Sequence, residues 1–261
     1  MKIKNQYYRD KRKKQVIVFS LQILLFILII CLWELASTFG IIDSFLFSKP
    51  SDIITLLIKY FKSKEIFEHI YISLIETLLG LAIGTYVGLV IAIVLWWNDY
   101  ISKILDPFLV VLNALPKTAL APIIIIWVGT GIKGITVVAI SISLVVTILS
   151  AYSYFMMVDV DKIKMLKSFG ASKLQILFKL VIPSNINNII NIIKINIGMS
   201  WVGVIVGEFI VSRAGIGYLI VYGSQVFKMD LVMMGVIVLA IISYFMYEFV
   251  NIIEKKIKGK R

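Results

Sequence analysis

Residues 77–97 read TLLGLAIGTYVGLVIAIVLWW, a run without a charged side chain. A helix rises about 1.5 Å per residue and crosses the ~30 Å hydrocarbon core of a bilayer in about 20 residues, so this run is long enough to be a transmembrane span. Residues 15–33 and 134–157 are equally free of charge, and residues 231–247 continue apolar past Glu248 through Ile253. Two further apolar regions are interrupted. Residues 107–128 contain Pro116, Lys117 and Pro122, and residues 186–212 contain Asn187, Asn188, Asn191, Lys194, Asn196 and Glu208. Both read as spans facing protein or water. The fold expected is an all-α membrane protein of six transmembrane helices.

Composition agrees. Hydrophobic residues make up 60% of the 261 and charged residues 16%, against about 25% charged in a soluble domain. The net charge of +12 would suggest nucleic acid in a soluble protein. Here the basic residues sit at the two ends and in one central segment between apolar runs, which is a topology signal, and no nucleic-acid partner is expected. One cysteine, Cys31, and one histidine, His69, leave no disulfide and argue against a His/Cys metal site. The first apolar run exceeds the ~7–15 residues of a signal-peptide core and reads as a retained span.

Basic loops resist translocation, so lysine and arginine set the orientation. Lys2, Lys4, Arg9, Lys11, Arg12, Lys13 and Lys14 precede the first span, and Lys255, Lys256, Lys258, Lys260 and Arg261 follow the last. Both ends are expected in the cytoplasm, which requires an even number of spans. The organisation expected is a cytoplasmic basic N-terminus (1–15), a transmembrane domain (16–253) and a cytoplasmic basic tail (254–261). Residues 158–185, with five lysines against Asp159 and Asp161, then form a cytoplasmic loop between spans four and five. Residues 40–71 fall outside. The loop at 98–106 fits less well, with Asp99 and Asp106 against Lys103, but acidic residues weigh little in this rule.

Gly80, Gly84 and Gly88 recur every four residues and present one groove of bare backbone, suited to close packing with another helix. In the fifth span Asn191, Lys194, Gly198, Trp201 and Glu208 lie on one face with Asn187, Ile205 and Ser212. Ionisable groups in a membrane face a cavity or a partner, so this stripe is a candidate translocation path. The alternative has Lys194 snorkelling to the cytoplasmic headgroups and Glu208 reaching the outer interface. Pro116 and Pro122 remove two backbone donors, leaving either a broken helix near the middle of the assembly or a simple kink.

Within the cytoplasmic segment Ile163, Leu166 and Phe169 recur at helical spacing. Gly170 stops that helix, and Leu174, Leu177, Phe178 and Val181 continue a second one before Pro183. Two short helices about a glycine turn make a docking site for a soluble partner, or else an amphipathic pair lying on the membrane surface. The stretch from Gly129 to Gly134 lacks the lysine and hydroxyl of a phosphate loop. ATP and its magnesium, if used, are handled by another polypeptide. No hydrolase elbow or Ser/His/Asp set is present.

The stretch from Ser168 to Pro183, Ser-Phe-Gly-Ala-Ser-Lys-Leu-Gln-Ile-Leu-Phe-Lys-Leu-Val-Ile-Pro, resembles the cytoplasmic signature loop of binding-protein-dependent permeases of ABC importers. Further similarities are Phe47-Ser-Lys-Pro-Ser-Asp, Asp106-Pro-Phe, Leu115-Pro-Lys-Thr-Ala-Leu-Ala-Pro, Trp127-Val-Gly-Thr-Gly, Gly207-Glu-Phe-Ile and Ala214-Gly-Ile-Gly-Tyr. Together they are similar to the nitrate, sulfonate and taurine branch. The resemblance implies a permease homodimer, two ABC ATPase subunits clasping the loops, and an extracytoplasmic solute-binding protein, in the plasma membrane of a prokaryote. It makes Lys164, Leu166, Gly170, Ala171 and Pro183 the ATPase-coupling residues. Where the family has Glu-Ala-Ala, this chain has Lys164-Met165-Leu166, so a cation replaces the usual carboxylate. The solute expected is small: a sulfonate, taurine, nitrate or a vitamin precursor. The competing reading is a secondary transporter or channel without an ATPase, for which Glu208 is the coupling carboxylate available. A membrane-embedded enzyme is disfavoured by the missing catalytic set.

Overall fold

The computed structural model describes residues 2–258, with side chains described at 13, 14 and from 16 onward; the side chains of most of the expected basic N-terminus, and residues 259–261 of the expected tail, lie outside the described residues. Among these residues the secondary structure is helical, without strands. In chain order the helices are α1 (Lys2–Thr38), α2 (Ser44–Phe47), α3 (Pro50–Ser63), α4 (Glu65–Trp97), α5 (Asp99–Ala114), α6 (Ala121–Val128) and α7 (Ile132–Met156). They continue with α8 (Val160–Ser168), α9 (Lys173–Ile176), α10 (Ile182–Ser184), α11 (Ile186–Val211), α12 (Ile216–Gln225) and α13 (Met229–Lys258). Five helical stretches are long and apolar enough to cross a membrane: Val16–Thr38, Glu65–Trp97, Ile132–Met156, Ile186–Val211 and Met229–Lys258. The bent pair α5 and α6 makes six if counted as one span. The expected loop at 98–106 is instead the start of α5, because the Asn98 side chain accepts from the N–H of Tyr100 and Ile101 and caps a helix there.

The chain divides into two compact units. One comprises Met1–Ser63 with Tyr222–Met234. Its span Val16–Thr38 buries none of its most apolar window, as a helix immersed in lipid does. Glu34 near the end of α1 accepts from the backbone N–H and the hydroxyl of Ser51, so a carboxylate sits on the first turn of α3, where the helix dipole favours it. Pro50 opens that helix at the position where a missing N–H costs nothing.

The second unit, Lys64–Val221 with Gly235–Arg261, contains the core formed by α4, α7 and α11. A Cβ added at Gly80 would lie 2.6 Å from that of Ala139, one at Gly84 would meet the Ser143 hydroxyl, and one at Gly88 would lie 2.6 Å from Thr147. The glycine groove of α4 is therefore filled by the small residues of α7. From α11, a Cβ at Gly203 would overlap the Ala139 backbone, and one at Gly207 would lie 3.0 Å from Ile135. Helices in lipid gain little from apolar contact alone and associate where small residues let backbones approach.

Between α5 and α6 the axis turns by 87°. Leu115, the residue before Pro116, is extended, and a short 3-10 turn over Lys117–Leu120 leads into α6. Lys117 Nζ donates to the Asn113 carbonyl at 3.1 Å, supplying a partner near the end of α5. Pro122 lies in the first turn of α6, where proline is tolerated. Of the two prolines, one breaks the span and the other starts its second half.

Glycine in a helix interior is ordinarily stabilised by replacement with alanine, by roughly 0.5–1 kcal/mol. Gly198 has no heavy atom within 4 Å of an added Cβ, so Gly198→Ala is expected to raise the unfolding temperature in detergent. Gly80→Ala is expected to lower it, by an overpacking cost of about 1–3 kcal/mol. Thermal unfolding of the two variants in one detergent checks the opposite signs.

Candidate functional site

The segment at 158–185 is built by a run of local signals. Asp159 caps α8 through the N–H of Asp161 at 2.9 Å. Gly170, at φ 76°, ends it. Its N–H donates to the Lys167 carbonyl at 2.9 Å, and the Ala171 N–H reaches back to Leu166 at 3.0 Å. This pair of bonds is a Schellman stop, which requires a left-handed residue and so favours glycine. Ser172 then opens α9 with a reciprocal capping box: its hydroxyl accepts from Gln175 N–H, and the Gln175 side chain accepts from Ser172 N–H. Leu177–Val181 is a π-helical turn leading into α10, which contains Pro183.

The segment is not a loose loop. Ile176, Leu177 and Val181 are buried with Ala92 of α4, Ala151 and Phe155 of α7, Val158 and Ile192 of α11, and Ile163, Leu166 and Ala171 pack against this cluster. Lys173 adds a polar tie: its Nζ donates to the Trp97 carbonyl at 2.5 Å and sits over the rings of Trp96 and Trp97. It caps the C-terminal end of α4 with a cation. Meanwhile Met165 (54% exposed), Phe169 (80%), Leu174 (55%) and Phe178 (62%) project outward. The expected amphipathic face therefore splits, with Ile163 and Leu166 turned inward and Phe169 outward. Lys164 is exposed and pairs with Asp161 at 3.2 Å.

The stripe on α11 does not form one continuous lining. Asn191 and Gly198 are exposed, whereas Trp201 and Glu208 are buried. Lys194 pairs with Glu254 of α13, donates to Asn251 Oδ1 at 3.2 Å and lies 5.0 Å from the Tyr247 ring. Glu254 also meets Lys258 at 2.5 Å. At the other end, Glu208 accepts from the N–H of Gly217 at 2.6 Å, from that of Tyr218 at 3.2 Å and from the Ser73 hydroxyl. Ser73 in turn accepts from Ile216 N–H at 2.7 Å. A Cβ at Gly215 or Gly217 would press on the Glu208 carboxyl, so the two glycines bring bare backbone onto it. The start of α12 is thus held by a buried carboxylate, as a helix N-terminus holds an anion.

The partners of several polar groups at this core escaped the sequence reading. His69 belongs to α4 rather than to an outside loop, and its Nδ1 accepts from Gly215 N–H at 3.0 Å. Glu76 lies buried on α4 with its carboxyl against that of Glu208. Glu208 is therefore not alone as a carboxylate within the spans. Asn196, fully buried, donates to Thr85 of α4 at 2.8 Å and to Thr147 of α7 at 2.7 Å, joining all three core helices. Spacing held part of this: Glu76 stands four residues before Gly80 on the same helix face, and Gly203 and Gly207 are spaced like the glycines of α4. Among the described residues no group of three His, Cys, Asp or Glu side chains is arranged to hold a metal.

A core of helices long enough to cross a membrane thus carries an ordered insert packed against the ends of α4, α7 and α11. Residues 80–259, more than half of the chain, match the family described as the binding-protein-dependent transport system inner membrane component, and the chain belongs to that family. It is a transport component, not itself an enzyme. It is 24% identical over 222 residues to the taurine transport system permease protein TauC of Escherichia coli, covering 83% of this chain and 80% of that one. It is 25% identical over 195 residues to the formylaminopyrimidine transport permease protein ThiX of Halalkalibacterium halodurans, covering 75% and 77%. In fold it matches a chain of the MetNI methionine ABC transporter with a TM-score of 0.66 at 16% identity, covering 73% of this chain and 95% of that one.

Glu208→Ala is expected to strip the Gly217 and Tyr218 amides of their acceptor and speed hydrogen exchange across the first turn of α12. Glu208→Gln retains an acceptor oxygen and is expected to fall between. Exchange followed by mass spectrometry on the two variants checks the order.

Proposed function

We propose that this chain is the membrane-spanning half of an ATP-driven importer. It works as a homodimer whose 158–185 segments are clasped by two ABC ATPase subunits and whose outer face receives a small solute from an extracytoplasmic binding protein. The protein sits in the plasma membrane of a prokaryote with both termini in the cytoplasm, in keeping with the basic residues flanking its first and last spans. ATP and magnesium are bound by the partner. The solute is a sulfonate, taurine, nitrate or a vitamin precursor, a range supported by relatives named for taurine and formylaminopyrimidine transport. A self-sufficient secondary transporter is not favoured by the family.

One observation carries this reading. The segment is packed as a rigid extension of α4, α7 and α11, yet it turns Met165, Phe169, Leu174 and Phe178 outward. Exposed apolar side chains on ordered backbone suit a protein partner. Movement imposed on them reaches the spans directly, because Lys173 and the buried cluster leave little slack. Gly170, Ala171 and Leu166 set the turn, and Pro183 lies in α10 at the approach to α11. Lys164 is exposed, with Asp161 beside it at 3.2 Å, so it offers a cation to an acidic group on the ATPase, and the outward apolar side chains supply the packing.

Co-purification of the detergent-solubilised chain with host proteins tests this. The ATPase is expected to accompany the wild type and to be lost when residues 164–170 are scrambled; its absence from both samples would refute the reading. Gly170→Leu is expected to abolish uptake while the protein stays in the membrane, because a left-handed residue with a branched side chain strains the turn. Undiminished uptake by that variant would remove the coupling role.

A further inference from the structure

The helix α3, 14 residues between the first span and α4, presents three different sides. Ile53 is buried and Leu56, Leu57 and Tyr60 are half-buried, on one face turned to the protein. Asp52, Thr55, Lys59 and Lys62 make a polar side. The first three of these line, with Leu56 and with Asp230 in the first turn of α13, an open cavity of about 270 Å³. Between the two sides runs an apolar stripe at steps of four and three: Ile54, Ile58 and Phe61, each about half exposed. A face turned to water would not ordinarily align three large apolar side chains in this way.

We infer that α3 lies in the membrane surface at the end of α1 remote from the basic N-terminus, with its Ile54, Ile58 and Phe61 stripe among the upper acyl chains and Lys62 at the headgroup phosphates. Depth is the first ground. The connection from Thr38 to Glu65 leaves one span and enters the next, so it begins and ends at a single membrane face. Glu34, one turn before the end of α1, accepts from the N–H and hydroxyl of Ser51, which ties the first turn of α3 to the level where that span leaves the hydrocarbon. The second ground is continuity, since the span Val16–Thr38 buries none of its most apolar window and lipid therefore reaches the foot of α3. The third is area: a stripe of three side chains presents far less than the ~800 Å² per partner of a stable protein interface, so a second copy of the chain is the poorer occupant. The helix thereby holds the first unit at one depth in the bilayer. This requires two flanking spans and no ATPase, so it stands apart from the importer reading.

The test uses the full chain carrying Cys31→Ser, in vesicles of phosphatidylethanolamine and phosphatidylglycerol, with a nitroxide on one introduced cysteine at a time. Collisions with oxygen, which dissolves in lipid, are compared with collisions with a water-soluble nickel chelate. Ile54→Cys and Ile58→Cys are expected to favour oxygen and to report a depth of about 5–10 Å below the headgroup boundary. Thr55→Cys and Lys59→Cys, on the polar side, are expected to favour nickel. The same preference at all four positions, or shielding of 54 and 58 from both reagents by a second copy or another protein, overturns the inference. If a labelled variant fails to fold, the unmodified chain decides, irradiated in vesicles that contain a phospholipid with a diazirine on an upper acyl carbon. Adducts at Ile54 or Ile58 are then expected, and adducts confined to other segments overturn the inference.

Discussion

The close approach of α4 and α11 to α7 is the constraint on which the rest of the second unit depends. Inside a bilayer the backbone must satisfy its own hydrogen bonds, and apolar side chains gain nothing by leaving lipid for one another. Helices are then joined by contact at short range. Gly80, Gly84 and Gly88 of α4 let Ala139, Ser143 and Thr147 of α7 sit against bare backbone, and Gly203 and Gly207 of α11 do the same for Ala139 and Ile135. Only at that separation do the short side chains of Thr85 and Thr147 both reach Asn196. The hydroxyls of Ser143 and Thr147 bond back to carbonyls of their own helix, so the contact adds few unmet polar groups.

The charged groups follow the same economy. Three of them are met close by: Glu208 by the amides opening α12, Lys194 by Glu254, and Lys173 by the final carbonyl of α4. These pairings tie the shorter elements to the core. They also divide its two ends in character. The end bearing the 158–185 segment is stitched by apolar packing and a lysine cap; the other end is organised around two carboxyls and a cavity lined in part by Glu76.

Much of the fold was legible because its signals are long or local. Uncharged runs marked three of the spans and Gly170 the turn of the insert, whereas Pro116 and Pro122 left a break or a kink open, which the 87° turn between α5 and α6 decides. The inserted segment's second helix was legible from Leu174 to Val181, but the π-helical form of the turn at Leu177–Val181 has no local sequence signature. The polar core was harder to read for a different reason. Asn196 and Glu208 acquire partners from other helices, over separations of 49 to 135 residues. Helical periodicity ranks faces but does not say which face meets which. The stripe through Lys194 and Glu208 follows the periodicity of one helix, and the partners that divide it, on α13 and α12, carry no signal within that helix.

The grip of glycine on α7 has a consequence for how such a sequence can drift. Because the facing residues share a fixed gap, the volume available belongs to pairs of positions and not to single ones. A larger side chain at Ala139 demands room from Gly80 and from Gly203 together, since both press on it. Ser143 with Gly84, and Thr147 with Gly88, are bound in twos. Change along this seam is therefore expected to be correlated, an enlargement on one helix answered by a reduction on its neighbour, while the lipid-facing side of α1 wanders freely among apolar residues.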